Sequence, residues 1–237
     1  MRRPLLLTFW VLLLAGCARN SAPKLLSPTA YGVQIVEVSG GKQIGAAGSV
    51  LPQPVVVQVN GADGNPVTGA LVRFRGEGIA FNPSQGLSDS SGQVTTAVQV
   101  GFAAGDYQIT VETPKQAGGV ISINLRQTSL GYEATVGKAV NDKYCIRCHD
   151  SESTPERVSN FDNLSPAPHQ FSDGATYNLI KDSDLNIISR GGVALSKSPQ
   201  MPAFGKTLNP AEMKAVVSYV RAVADPPYQP SGVKYAK

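Results

Sequence analysis

The sequence predicts two domains of different fold class, an all-β antiparallel sandwich followed by an all-α domain. Short runs rich in β-branched residues, separated by turn residues, fill residues 31–129. After Leu130 the composition changes, and apolar residues recur at helical spacings through residues 131–229. The chain has 237 residues, which suits one or two domains at the usual ~150 residues each. Two domains therefore account for both the length and the change of pattern.

Composition and charge restrict the class of protein. Apolar residues make up 42% of the chain and charged residues only 16%, which fits neither charge-driven disorder nor a coiled coil. The net charge is +4, and Arg2 and Arg3 contribute two of the positive charges at the N-terminus. The remaining charges are nearly balanced in each predicted domain. We therefore expect no nucleic-acid partner.

The N-terminus has the pattern of a secretory signal. Two arginines precede a mostly apolar stretch over residues 5–14, which is too short to span a membrane. The sequence LAGC, which ends at Cys17, resembles the lipobox of bacterial lipoproteins. This resemblance implies a signal peptide over residues 1–16, lipidation of Cys17, and attachment to a membrane through the N-terminal lipid.

The residues after Cys17 refine this expectation. In lipoproteins an aspartate directly after the acylated cysteine favours retention at the inner membrane, whereas this chain has Ala18 there. The resemblance therefore implies transport across the inner membrane and sorting to the outer membrane, on its periplasmic side or at the cell surface. Residues 17–30 are small, polar and contain proline, so we expect a flexible tether.

Six apolar runs predict strands in the first domain. They cover residues 33–38, 55–59, 71–74, 94–100, 107–111 and 120–125. The segments between them supply the glycine, asparagine and aspartate that tight turns require. Short strands at this spacing indicate an antiparallel sandwich.

The stretches ADGNPVTGALVRF, SDSSGQVTTAVQV and AAGDYQITV resemble the bacterial Ig-like domains found in invasin and intimin. The resemblance implies an Ig-like sandwich over residues 31–129 that acts as a spacer or docking module. The segment has no histidine and its carboxylates are scattered. We therefore expect no catalytic constellation in it.

The second domain contains the sequence CIRCH, in which Cys145, Cys148 and His149 form CxxCH, the attachment motif of c-type haem. Two intervening residues let both sulfurs reach the vinyl groups on one porphyrin edge, and the adjacent imidazole reaches the iron. Apolar residues at helical spacing predict a helix that leads into the motif. We expect one haem c per chain, attached covalently through both cysteines, with His149 as proximal iron ligand.

Other uses of the two cysteines fit the sequence less well. A zinc site needs two more ligands, and His169 is the remaining nitrogen or sulfur donor once Cys17 carries lipid. A thioredoxin-like pair would follow a strand and open a helix, whereas a helix precedes this motif. A disulfide between cysteines so close in sequence would be strained. Haem remains the preferred interpretation, because a secretory signal delivers the chain to the compartment of haem attachment.

Met201 is the candidate distal iron ligand. It lies in MPAFG, a segment similar to the distal-ligand loop of class I cytochromes c. Pro202 disfavours helical backbone at Met201, so the thioether can project from a loop. Met213 instead belongs to an apolar helical stripe, and Asn209 is the predicted cap of that helix.

His169 is the rival ligand, in the segment SPAPHQF. The resemblance to class I cytochromes c implies a proline loop here whose carbonyl orients the proximal imidazole, and we assign it to Pro166 through Pro168. We expect the His169 side chain to pack in the loop or face solvent. Gly137 and Tyr219 match the residues at which the first and last helices of these cytochromes cross. The resemblance thus implies an all-α cytochrome c fold over residues 131–229, followed by a tail over residues 230–237.

These observations favour an electron-transfer protein over an enzyme. Haem iron with both axial positions filled has no position for a substrate, so its chemistry is a one-electron change. We expect a mono-haem lipoprotein that carries electrons between a donor protein and an acceptor protein at a bacterial membrane surface, and no small-molecule substrate is evident. Two alternatives remain open: a cytochrome subunit of a larger membrane-associated redox enzyme, and an adhesive or scaffold protein that bears a haem domain.

Overall fold

The computed structural model describes residues 26–229. Within these residues a β domain is followed by a helical domain, and only Gly131 separates the last strand from the first helix. The expected signal peptide, the lipidation site Cys17 and the tail over residues 230–237 lie outside the described residues. No helix within residues 26–229 is long and apolar enough to cross a membrane.

The β domain is a sandwich of two sheets. Its strands are β1 (Gln34–Ser39), β2 (Ile44–Ala46), β3 (Val55–Asn60), β4 (Leu71–Arg75), β5 (Ala80–Asn82), β6 (Gln85–Leu87), β7 (Gln93–Gln99), β8 (Gly105–Pro114) and β9 (Val120–Leu130). One sheet has the order β1-β3-β7-β5 and the other β2-β9-β8-β4-β6. The pairings are antiparallel except that of β2 with β9, which is parallel. The six predicted strands are confirmed, and β2, β5 and β6 are additional.

The core of the sandwich follows from alternation along the strands. In β3 the side chains of Val55, Val57 and Val59 have no exposed area, and the residues between them are partly exposed. Period-two burial of this kind directs one strand face towards the opposite sheet. Both cysteines within residues 26–229 lie in the helical domain, so these two sheets are held together without a disulfide, mainly by apolar packing.

The predicted tether over residues 17–30 is too long at its C-terminal end. The backbone N–H groups of Thr29 and Ala30 donate to the carbonyl oxygen of Gly69 at 2.9 and 3.3 Å. Gly69 has a φ of +82°, a left-handed conformation that suits glycine. These residues therefore belong to the β domain, because backbone pairing, which composition does not reveal, attaches them to it.

The helical domain is built around two long helices. Its helices are α1 (Tyr132–Tyr144), α2 (Ile146–His149), α3 (Gly174–Tyr177), α4 (Ile187–Arg190) and α5 (Pro210–Val223). The predicted capping of α5 is confirmed: the Asn209 side chain accepts from the Glu212 N–H, and the Glu212 side chain accepts from the Asn209 N–H, both at 2.9 Å.

Helices α1 and α5 cross at Gly137. A methyl group at this position would lie 1.9 Å from the carbonyl oxygen of Ala215 and 2.9 Å from Cβ of Tyr219. Only a glycine permits so close an approach of the two backbones. The expected crossing of the first and last helices at Gly137 and Tyr219 is therefore confirmed.

The two domains share an apolar cluster at their junction. This junction cluster consists of Leu130, Ala134, Tyr219 and Val223, with Ile44 and Phe171 packed against it. Beside it, the guanidinium of Arg126 on β9 pairs with Asp106 at 3.1 Å and with Asp225 of the helical domain at 3.0 Å. The β domain is thus packed against the helical domain as well as connected to it through Gly131.

Candidate haem-binding site

The CxxCH motif forms a single helical turn at the end of α1. The backbone N–H groups of Cys148 and His149 both donate to the carbonyl oxygen of Cys145 at 3.0 Å. Cys145 is buried, Cys148 is half-buried, and both are free thiols. One turn therefore presents two sulfur atoms and an imidazole that are close together in the chain.

The electrostatics of Cys145 favour a neutral sulfur. Burial, with smaller contributions from Cys148 and Asp142, raises the pKa of the Cys145 thiol to about 11. A redox-active cysteine or a zinc ligand must be a thiolate, whereas the sulfur of a thioether is uncharged. Across residues 26–229 no three His, Cys, Asp or Glu side chains come together as a metal site. The environment of Cys145 suits a thioether.

His149 is held in one orientation and one tautomer. Its Nδ1 lies 2.8 Å from the carbonyl oxygen of His169, and because a carbonyl can only accept, Nδ1 carries the proton. Burial lowers the pKa of His149, which favours the neutral ring. The Phe171 ring stacks on the imidazole with centroids 4.4 Å apart. The other nitrogen, Nε2, therefore keeps its lone pair for a metal ion.

The carbonyl that orients His149 belongs to His169 and not to the segment Pro166 to Pro168, where we expected it. The His169 side chain is 60% exposed, and its Nδ1 lies 3.0 Å from Oδ2 of Asp173. The side chain of His169 thus contacts Asp173, and the carbonyl of the same residue faces His149. The exposed side chain agrees with the prediction that His169 faces solvent.

Tyr177 is a site residue that the sequence did not reveal. Its hydroxyl donates to the carbonyl oxygen of His169 at 3.3 Å and lies 3.4 Å from Nδ1 of His149. Tyr177 is 8% exposed, and burial raises the pKa of its hydroxyl well above the ordinary value, so the hydroxyl stays protonated. Arg221 of α5 donates to the backbone carbonyls of Tyr177 and Ile180 and so fixes the end of α3.

Met201 lies in an irregular segment between α4 and α5 and is half-buried. Its carbonyl oxygen accepts from the Gly192 N–H at 2.9 Å. The ring of Phe204, in the same segment, contacts the ring of Tyr144 with centroids 5.9 Å apart. Tyr144 is the last residue of α1 and directly precedes Cys145. The segment that carries Met201 therefore packs against the end of α1 through this ring contact. Met201 therefore lies in a loop, as predicted.

The paired glycines after α4 make room for this loop. Gly191 ends α4 with a φ of +73°, a backbone conformation that glycine adopts without strain. A methyl group at Gly192 would lie 1.8 Å from the carbonyl oxygen of Ser198. Met213, in contrast, packs against the apolar core of the helical domain, which confirms the prediction for that residue.

The fold and the site define the helical domain as a cytochrome c domain, a class that binds haem and transfers electrons. Residues 133–220 match the family model described as cytochrome c oxidase, cbb3-type, subunit III. The matched range includes the CxxCH turn and Met201. A search of curated proteins found no match.

Solved structures similar to the chain include several with Ig-like domains. The D00-D0 domain of intimin is 9% identical, with a TM-score of 0.32, over 44% of this chain and 50% of that chain. Invasin, a bacterial integrin-binding protein, is 19% identical, with a TM-score of 0.31, over 41% of this chain and 19% of that chain. The Yersinia pseudotuberculosis adhesin InvE is 13% identical, with a TM-score of 0.27, over 43% of this chain and 32% of that chain. The chain thus spans half or less of the length of these three structures, and the two-sheet topology itself carries the assignment of the β domain as an Ig-like sandwich.

Proposed function

We propose that the protein is a mono-haem c-type cytochrome lipoprotein that carries single electrons between two redox protein partners at a bacterial membrane surface. The main support is the CxxCH turn, in which Nδ1 of His149 is held by the carbonyl of His169 and Nε2 is left to bind iron. In this proposal Cys145 and Cys148 hold one haem c covalently. Bound haem supplies a one-electron couple between Fe(III) and Fe(II).

The surrounding residues suit an electron carrier. If His149 and Met201 both ligated the iron of a bound haem, no coordination position would be left for a substrate. A neutral thioether stabilises Fe(II) relative to a second imidazole, so Met201 as a ligand would raise the redox potential. The apolar core of the helical domain, which includes Val140, Ile188 and Val216, would add to this effect around a bound haem, because apolar surroundings disfavour the extra charge of Fe(III).

A first test replaces the proposed distal ligand. Met201→Ala is expected to lower the redox potential, since a water molecule or no ligand replaces the thioether that favours Fe(II). We expect at least about a tenfold change in the equilibrium constant for reduction, which is about 59 mV for one electron. The reduced variant should also bind carbon monoxide, whereas the reduced wild-type protein should not. Spectroelectrochemical titration and visible spectra measure both effects.

Met213→Ala is the matched control. Met213 is half-buried and packs against the core of the same domain, so its truncation should lower the free energy of unfolding by about 1–2 kcal/mol, less than for a fully buried methionine. It should leave the potential and the exclusion of carbon monoxide unchanged. A Met201→Ala protein with the wild-type potential would refute the ligand assignment. A wild-type protein that is colourless after expression with a working haem-attachment system would refute the proposed function.

The proposed membrane attachment depends on Cys17. A lipid there would place the Ig-like domain between the membrane and the haem domain in chain order, as a spacer or docking module at the outer membrane. Cys17→Ser should therefore move the protein from the membrane fraction to the soluble fraction, because the acyl chains that supply membrane affinity are absent. Immunoblots of separated inner-membrane, outer-membrane and soluble fractions measure this change. Equal amounts of wild type and variant in the membrane fraction would contradict lipid anchoring.

A second candidate function is a cytochrome subunit of a larger membrane-associated redox enzyme. The match of residues 133–220 to a family described as an oxidase subunit favours it. Purification of the tagged full-length chain from membranes in mild detergent distinguishes the two. A catalytic subunit recovered in a constant ratio with the chain supports the enzyme subunit, and recovery of the chain alone supports the carrier.

A further inference from the structure

The carbonyl oxygen of His169 accepts two hydrogen bonds at once. One comes from Nδ1 of His149 at 2.8 Å and the other from the hydroxyl of Tyr177 at 3.3 Å. The Tyr177 oxygen also lies 3.4 Å from Nδ1 of His149, so the three polar atoms form a closed triangle. The imidazole and the phenol therefore share one acceptor oxygen, which has two lone pairs.

Packing contacts of the Tyr177 ring and the cap of α3 fix the position of the Tyr177 hydroxyl. The ring of Tyr177 meets the edge of the Phe171 ring with centroids 5.5 Å apart, and Phe171 stacks on His149. Asp173 caps α3 by accepting from the Thr176 N–H at 3.1 Å. A side chain this confined keeps the hydroxyl beside the His169 carbonyl.

We propose that Tyr177 is a positioning residue that raises the redox potential of the haem through the carbonyl of His169. This proposal rests on the proposed function, since it requires His149 as the proximal iron ligand. The hydrogen bond from Nδ1 to a carbonyl makes the ligating imidazole more basic. Tyr177 draws on the lone-pair density of that carbonyl, so the bond from His149 weakens and the imidazole donates less electron density to the iron. Fe(III) is then stabilised less than it would be without the hydroxyl.

The test uses Tyr177→Phe in the full-length protein with its haem attached. This change keeps the ring and its packing and removes only the hydroxyl. The carbonyl then accepts from His149 alone, so the equilibrium constant for reduction should fall about threefold to tenfold. At 59 mV per tenfold for one electron, the fall is about 30 to 60 mV. Haem content, visible spectrum and exclusion of carbon monoxide should stay as in the wild type.

Two further proteins separate this effect from a general effect of burial. Tyr219→Phe removes the hydroxyl of a tyrosine that is 7% exposed, close to the 8% of Tyr177, and should leave the potential unchanged. Incorporation of 3,5-difluorotyrosine at position 177 makes the hydroxyl a stronger donor and should raise the potential.

Three results would overturn the proposal for Tyr177. They are an unchanged potential in Tyr177→Phe, an equal fall in Tyr219→Phe, and a fall with the fluorinated residue. Each of them would leave the proposed function intact, because the haem would still be attached and low-spin. A wild-type protein without covalent haem would instead refute the proposed function itself.

Discussion

Simultaneous replacement of Cys145 and Cys148 by alanine is expected to abolish covalent haem attachment. Both thiols lie on one helical turn beside the imidazole, and a thioether to each sulfur is the covalent link that we propose. On a denaturing gel the haem stain should disappear. Mass spectrometry should find the mass of the polypeptide alone, and the wild type should carry the additional mass of one haem.

The two single variants and a variant at the third cysteine serve as controls for this test. Cys145→Ala and Cys148→Ala each leave one sulfur, so each should retain at most one thioether and less haem than the wild type. Cys17→Ala removes a cysteine that has no role in the proposed haem site, and it should keep the full haem stain. Haem mass retained by the double variant would show that CxxCH is not the attachment site.

Elements with a long local pattern were predictable from the sequence. Strand β3 has alternating buried valines over six residues, and α5 has both a capping pair and an apolar stripe over fourteen residues. The strands β2, β5 and β6 have three residues each and were missed. Strand β2 is formed by parallel pairing with residues 128–130, more than eighty positions away, and no local pattern encodes that partner.

The residues of the candidate site also fall into two groups, those that a local sequence pattern identifies and those that only tertiary contacts identify. Cys145, Cys148 and His149 are identified by their spacing, because the chemistry of attachment requires that spacing. The carbonyl of His169 belongs to the backbone, which has the same donor and acceptor groups at almost every residue. Tyr177 is one of eight tyrosines, and only the packing of α3 brings its hydroxyl to that carbonyl. Tertiary contacts therefore determine the residues that surround the ligand.

The contact between the two domains extends to residues 172–174, which follow His169 closely in the chain. Arg126 of β9 pairs with Asp225, whose backbone N–H donates to Ser172 at 2.9 Å and whose carbonyl accepts from Gly174 at 3.1 Å. An ion pair this exposed contributes about 0–1 kcal/mol, so the junction cluster around Leu130 supplies more of the stability of the contact. The Ig-like domain therefore also packs beside the chain segment that follows His169.

Gly137→Ala is expected to destabilise the helical domain even though alanine is the better helix former. Helix propensity alone would raise the free energy of unfolding by about 1 kcal/mol. The added methyl group, however, would lie 1.9 Å from the carbonyl oxygen of Ala215, and because this is a backbone atom, α1 and α5 must move apart. Overpacking of this kind costs about 1–3 kcal/mol, and more where two backbones must separate, so we expect a net loss of about 2 kcal/mol.

Denaturant unfolding of the haem-loaded protein, followed by far-UV circular dichroism, measures this loss. Ala139→Gly is the matched control, because Ala139 lies on the exposed face of the same helix and reports propensity without the crossing. It should lower the free energy of unfolding by about 1 kcal/mol. If Gly137→Ala instead raised the free energy of unfolding by a similar amount, the two helices could not be in backbone contact at this position, and the crossing that places α1 and its CxxCH turn would be wrong.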